Sequence, residues 1–169
     1  VGSMPVLIMM NKPYNDEDAL VILVNYVCRM GYGYCGGYGV DVRYAAQQMQ
    51  VVKELWGKNR GRRVRHFILS FGASEKIGHE QAMRLGFHIC QYYQKYQSVY
   101  GLHEDTDHLH LHFAVNTVSF ETGKMYSEGI SDWHCLRGYI QGLLPRWHVD
   151  FKISEGMRYA QGVFEQMCM

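Results

Sequence analysis

The chain has 169 residues, 47% of them apolar and 14% aromatic, with 17 Lys and Arg against 16 Asp and Glu for a formal charge of +1. That suffices for one domain with a real core and not for two, while the near-neutral charge by itself gives no reason to expect nucleic acid, and no apolar run approaches the roughly 20 residues of a membrane-spanning helix. The start lacks a basic-then-apolar leader, so a cytoplasmic protein is expected; five cysteines without a C-x-x-C pair suggest buried, reduced thiols and neither a disulfide framework nor a zinc knuckle; and Val1-Gly2-Ser3 ahead of Met4 reads as an expression remnant, leaving 4–169 as one domain.

The first predicted element is the short apolar run VLIMM at 6–10, suited to a buried strand and followed by a loop containing Pro13. Asn15 is placed to cap a helix that runs to about Met30, with Asp16, Glu17 and Asp18 in its first turn, where carboxylates suit the helix dipole. GYGYCGGYG at 31–39 carries too much glycine for a helix or regular strand and is expected to be a loop. A second helix should start at Asp41, continue through about Trp56 and stop at Gly57. Lys58, Arg60, Arg62, Arg63 and Arg65 then fall within eight residues, a phosphate-attracting patch or, equally, a solvated loop. VRHFILSF at 64–71 reads as a strand, and a helical pattern over roughly 75–97 brings Met83, Phe87, Cys90 and Tyr93 into a core stripe.

Next comes LHEDTDHLHLHFAVN at 102–116, which holds four of the nine histidines within ten positions. Segments 98–105 and 108–120 look like strands joined by the polar link Thr106-Asp107. Alternation along a strand puts His108, His110, His112 and Asn116 on one face and Leu109, Leu111, Phe113 and Val115 on the other. His103 and Asp105 share a face of the preceding strand, and antiparallel pairing would bring the two strands to within about 5 Å. Imidazoles at alternating strand positions can offer nitrogen ligands to a divalent metal, with a carboxylate orienting one ring through its other nitrogen. Three histidines with an open position would make a catalytic site; zinc, manganese or another transition ion suits such donors, magnesium less naturally. The plain alternative is a ligand-free polar face, although exposed strand positions more usually carry Thr, Lys or Glu.

HEDTDHLHLHFAVNTVSFETGKMY (103–126) resembles the metal-binding motif of the relaxase, or mobilisation nuclease, family within the His-hydrophobe-His endonucleases. The matching positions are His103, Asp105, His110, His112, Asn116 and Gly123. ALVILVNYVCRM (19–30) resembles the helix bearing the family's nucleophilic tyrosine, here Tyr26, although Arg29-Met30 stands where Lys-Thr is usual. GRRVRHFILSF (61–71) resembles the basic lead into a strand whose serine, here Ser70, contacts DNA. The resemblance spans roughly 5–150 and implies nicking and rejoining at an origin of transfer through a 5′-phosphotyrosyl intermediate. It implies metal ligands His103, His110 and His112, catalytic roles for Tyr26 and Asp105, and supporting or DNA contacts from His108, Asn116, Ser70, Arg60, Arg62, Arg63 and Arg65. It further implies manganese or magnesium in function, with zinc, nickel or cobalt able to enter the site. The partners it implies are single-stranded or supercoiled DNA, relaxosome accessory proteins and a type IV coupling protein, with no membrane insertion.

Two other readings stay open. A single-tyrosine transposase or rolling-circle initiator places its tyrosine after the histidines, where Tyr139 lies in CLRGYIQGLL (135–144). A non-catalytic metal- or DNA-binding module would keep the histidines without cleaving. Tyr32, Tyr34 and Tyr38 could stack on unpaired bases or simply pack their loop. The expected fold is α+β: a central antiparallel five-stranded, palm-like sheet, with strands near 6–10, 64–71, 98–105, 108–120 and 147–153, helices on one face and the histidine face open to DNA.

Overall fold

Apolar and β-branched runs become strands as expected, and their hydrogen-bonded order is what builds the site. A computed structural model describes residues 5–104, 107–127 and 129–154. In chain order these form β1 (Val6–Met10), α1 (Ala19–Val27), β2 (Cys35–Tyr38), α2 (Ala45–Leu55), β3 (Val64–Phe71), α3 (His79–Cys90), β4 (Ser98–His103), β5 (Leu109–Asn116), α4 (Ile130–Leu143) and β6 (Asp150–Ser154). The sheet is six-stranded in the order β2-β4-β5-β3-β1-β6. All its pairs are antiparallel except β1 with β6, which run parallel.

Two expectations are corrected here. The sheet is mixed and has six strands, because the glycine-rich segment supplies β2 at the edge. Glycine is required there for a steric reason: a Cβ at Gly36 would run into the Tyr100 phenol on the neighbouring strand. Helices, moreover, cover both faces. Phe67, Leu69, Phe71, Leu102, Leu111 and Phe113 pack with Ala82, Leu85 and Ile89 of α3 and with Trp133, Leu136 and Ile140 of α4. Ile68, Val99 and Ala114, on the histidine side, pack with Leu20, Leu23, Val24 and Val27 of α1 and Met49 of α2.

Helix ends show where local signals were read correctly. Gly57 stops α2 with φ +65°, and Asp41 accepts from the Arg43 backbone N–H at 3.0 Å to cap a short 3-10 turn leading into α2. Asn15 does not cap α1, which begins after Asp18, so the three carboxylates precede the helix. The buried stripe of α3 is Ala82, Leu85, Gly86, Ile89 and Cys90, leaving Phe87 39% exposed. Cys28, Cys35, Cys90 and Cys135 are free thiols, Cys135 exposed; Cys168 lies outside the described residues, as do Val1-Gly2-Ser3.

Candidate active site

The histidine cluster is assembled by strand register. His103 of β4 and His110 of β5 are direct cross-strand partners. His110 is also opposite Ser70 of β3, which brings Ser70 beside the histidines. His112 lies between Gly101 and Ile68. The missing side chain at Gly101 brings the roof down, since a Cβ there would collide with the Val27 carbonyl of α1. That carbonyl is also the acceptor for His103 Nε2 at 3.1 Å.

The same close approach places Tyr26, one residue earlier, over the cluster. Its ring centre lies 5.1 Å from that of His103 and 5.1 Å from that of His112, edge-to-face against both. The Arg29 guanidinium also sits over the Tyr26 ring, 5.0 Å from its centre. Tyr26 is half-buried, in reach of both protein and solvent. His103 and His112 stack with centres 4.1 Å apart, and His110 is 6.1 Å from His112. His103 and His112 are wholly buried and His110 nearly so, whereas His108 is exposed at the rim. The histidine face is therefore a roofed pit rather than an open surface. Burial, reinforced by His103, His66, His110 and Arg29, holds the His112 ring well below the usual histidine range, so it is neutral.

A family model, the MobA/VirD2-like relaxase nuclease domain, matches residues 16–144 and so takes in both Tyr26 and the histidines. The chain belongs to that relaxase family. Its similarity to curated relatives is partial. It is 31% identical over 98 residues to a Protein rlx of Staphylococcus aureus and 34% identical over 91 residues to another, covering 57% and 53% of this chain and 29% of each relative. It is 39% identical over 64 residues to Protein MobA of Acidithiobacillus ferrooxidans, covering 37% of this chain and 16% of that protein. No solved structure matches.

Other residues expected to serve this relaxase domain are distributed differently. Asn116 is fully buried, donating to Met49 O at 3.2 Å and to Gln97 Oε1 at 2.9 Å, and so ties β5 to α2. Arg60 is exposed, and Arg63 is half-buried and bonded to Asn59. Arg65, only 2% exposed, points away from the histidines because it alternates with His66. With Arg62, Asn11, Tyr126 and Trp133 it lines a cleft of about 540 Å³ at the end of β3 remote from Ser70. The basic run is thus split between surface and cleft and does not converge on the pit. Tyr139 donates to His88 O at 3.0 Å from α4, which packs on the opposite side of the sheet from the histidines. Among the described residues no helix is long and apolar enough to cross a membrane.

Whether the pit suits a metal can be tested on its donors. As the side chains stand, no group of three or more His, Cys, Asp or Glu among the described residues is arranged to hold an ion. Asp105 lies outside those residues. The donor chemistry nevertheless fits. A carbonyl only accepts, so His103 Nε2 carries its hydrogen. His112 Nε2 is buried without a hydrogen-bond partner among the described residues, a position a cation would satisfy.

Three contributors escaped the sequence reading: His66, Tyr14 and Arg29. His66 Nε2 is 3.2 Å from His112 Nδ1, and its own Nδ1 is 2.7 Å from the Tyr14 hydroxyl. A histidine beside the apolar run at 67–69 of its strand was the available signal for His66. Nothing local marked Tyr14, which is 52 residues away in sequence.

Proposed function

We propose that this domain nicks and rejoins one strand of DNA at an origin of transfer, starting mobilisation of a plasmid or integrative element. The observation that carries the reading is Tyr26 packed edge-on against His103 and His112, 5.1 Å from each. Among the tyrosines in the described residues, this one is set apart by its seat over both His103 and His112.

In the reaction, Tyr26 Oη attacks phosphorus; the Tyr26 O–P bond forms as the bond from phosphorus to the 3′ oxygen breaks. The phenol loses a proton, the 3′ oxygen gains one, and the strand stays on the protein as a 5′-phosphotyrosine. Attack by the 3′ hydroxyl reverses the exchange, so rejoining needs no ATP. Arg29 is placed to offset negative charge developing on the phenol and phosphate. His103, His110 and His112 would hold a manganese or magnesium ion, which when bound supplies charge to the phosphate oxygens. Asp105 would orient one of the imidazoles, and Ser70 and His108 would contact the strand at the mouth of the pit. Arg60 and Arg63 would hold phosphates outside it. Accessory proteins of the mobilisation complex and a coupling protein are the partners this role calls for.

The test incubates the protein with manganese and supercoiled plasmid carrying the origin of its own element, and compares Tyr26→Phe with Tyr139→Phe on denaturing gels. The expected outcome is nicking with a covalent protein–DNA adduct, lost in Tyr26→Phe and kept in Tyr139→Phe. An adduct surviving Tyr26→Phe would sink the assignment, and tight binding of origin DNA without a nick would make the domain a binding module.

A further inference from the structure

We infer that His66, backed by Tyr14, is a positioning residue that keeps the His112 proton on Nδ1 and so presents His112 Nε2 as a lone pair at the floor of the pit. The inference rests on the metal reading for its purpose but not for its geometry. The chain of contacts is short and buried: Tyr14 Oη to His66 Nδ1 at 2.7 Å, and His66 Nε2 to His112 Nδ1 at 3.2 Å. His66 and His112 are both wholly buried, where a charged ring without a counter-charge is strongly disfavoured, so the pair is read as two neutral imidazoles.

A neutral imidazole has one N–H, so two such rings in line must donate in the same direction. In one sense His112 donates from Nδ1 to His66 Nε2, and His66 donates from Nδ1 to the Tyr14 oxygen; His112 Nε2 is then a lone pair. In the other sense Tyr14 donates to His66, His66 donates to His112, and His112 Nε2 carries a hydrogen. That hydrogen would be buried with no acceptor among the described residues, an arrangement folded proteins avoid. The first sense leaves an acceptor instead, which a cation can satisfy. Tyr14 suits the terminal role because burial pushes its phenol well above the usual tyrosine range, keeping it a neutral hydroxyl whose oxygen can accept. Partners of this kind, behind a metal-binding histidine, set its tautomer and ring angle.

The test begins with nitrogen-15 spectra of histidine-labelled, metal-free protein, with the His112 signals assigned through His112→Gln. The expected result is His112 protonated at Nδ1; protonation at Nε2 overturns the inference. Calorimetric titration with manganese should then show His66→Phe binding about 10- to 100-fold more weakly than the unmutated protein. His66→Gln, which can still accept from His112, should recover most of that loss, and Tyr14→Phe should fall between. Manganese binding unchanged in His66→Phe overturns the inference. If the unmutated protein binds no manganese, the metal reading fails, yet the tautomer of His112 still decides the relay. Should His66→Phe not fold by circular dichroism, Tyr14→Phe and the tautomer measurement carry the decision.

Discussion

The two faces of β3 and β5 are made from the same backbone ladder and do opposite work. On one, Phe67 stacks on Phe113 with ring centres 4.5 Å apart and planes 10° from parallel, inside a continuous apolar core under α3 and α4. On the other, the flat neighbour of His112 is His103, 4.1 Å away, and a second stacked ring is His66, 5.5 Å away. Burial of carbon stabilises the first face. Burial of ring nitrogen on the second costs free energy unless each atom finds a partner, and the chain retains that cost beneath α1. Charge placed in such a dry pit is felt more strongly than in water, which would serve the proposed offsetting of phosphate charge.

Substitutions should separate the two faces cleanly. His112→Gln is expected to lower nicking about 10²- to 10³-fold, the scale of losing one stabilising group in a reacting site, with a much smaller change in urea stability. Phe67→Ala should do the reverse. It removes a fully buried ring and should cost about 3–5 kcal/mol in urea unfolding, with the nicking rate of the still-folded fraction unchanged. If both variants lost activity and stability in the same proportion, the division of labour would be wrong.

Acid should expose the cost of the histidine face. His66 is held down to about 3, against an ordinary value near 6.5. Between those values the unfolded chain binds a proton that the folded chain does not, so stability falls as pH drops through that window. Each such ring should contribute up to about 1.4 kcal/mol per pH unit. Urea unfolding at pH 7 and pH 5 measures the slope, and His66→Phe should reduce it.

A smaller effect concerns the pillar behind the pit. Lys53 of α2 is wholly buried, donates to Thr117 Oγ1 at 2.9 Å, and is lowered to about 7 by burial and by Arg63. Its ionisation penalty is full below pH 7 and fades as pH rises towards 10.5, where the unfolded side chain also loses its proton. Lys53→Met should therefore raise the melting temperature at pH 6 by about 2–4 °C per kcal/mol recovered, and by less at pH 9.5. Smallest of all, Tyr139→Phe removes one hydrogen bond at the surface and should cost at most about 1 kcal/mol, leaving the covalent adduct intact.

The site was legible in part because its periodicity is local. His110 and His112 declare a common strand face by alternation, and the Gly57 stop follows from backbone sterics alone. Gly36 and Gly37 misled because a glycine-rich segment reads as a loop unless one knows that Tyr100 needs the space beside it. Arg65 was grouped with its basic neighbours, yet one residue of alternation separates it from His66 and sends it to the other side of the sheet.

The chain order of residues determined five of the six strands, the shared face of the histidines, the family resemblance and the candidate tyrosine within it, because each depends on neighbours a few positions apart. Only the tertiary structure decided that Tyr26 meets His103 and His112 while Tyr139 does not, that α1 roofs the pit through Gly101, and that His66 and Tyr14 stand behind His112. Those contacts join segments up to 86 residues apart, and their existence depends on strand register and helix placement, which the hydrophobic pattern of one segment cannot specify.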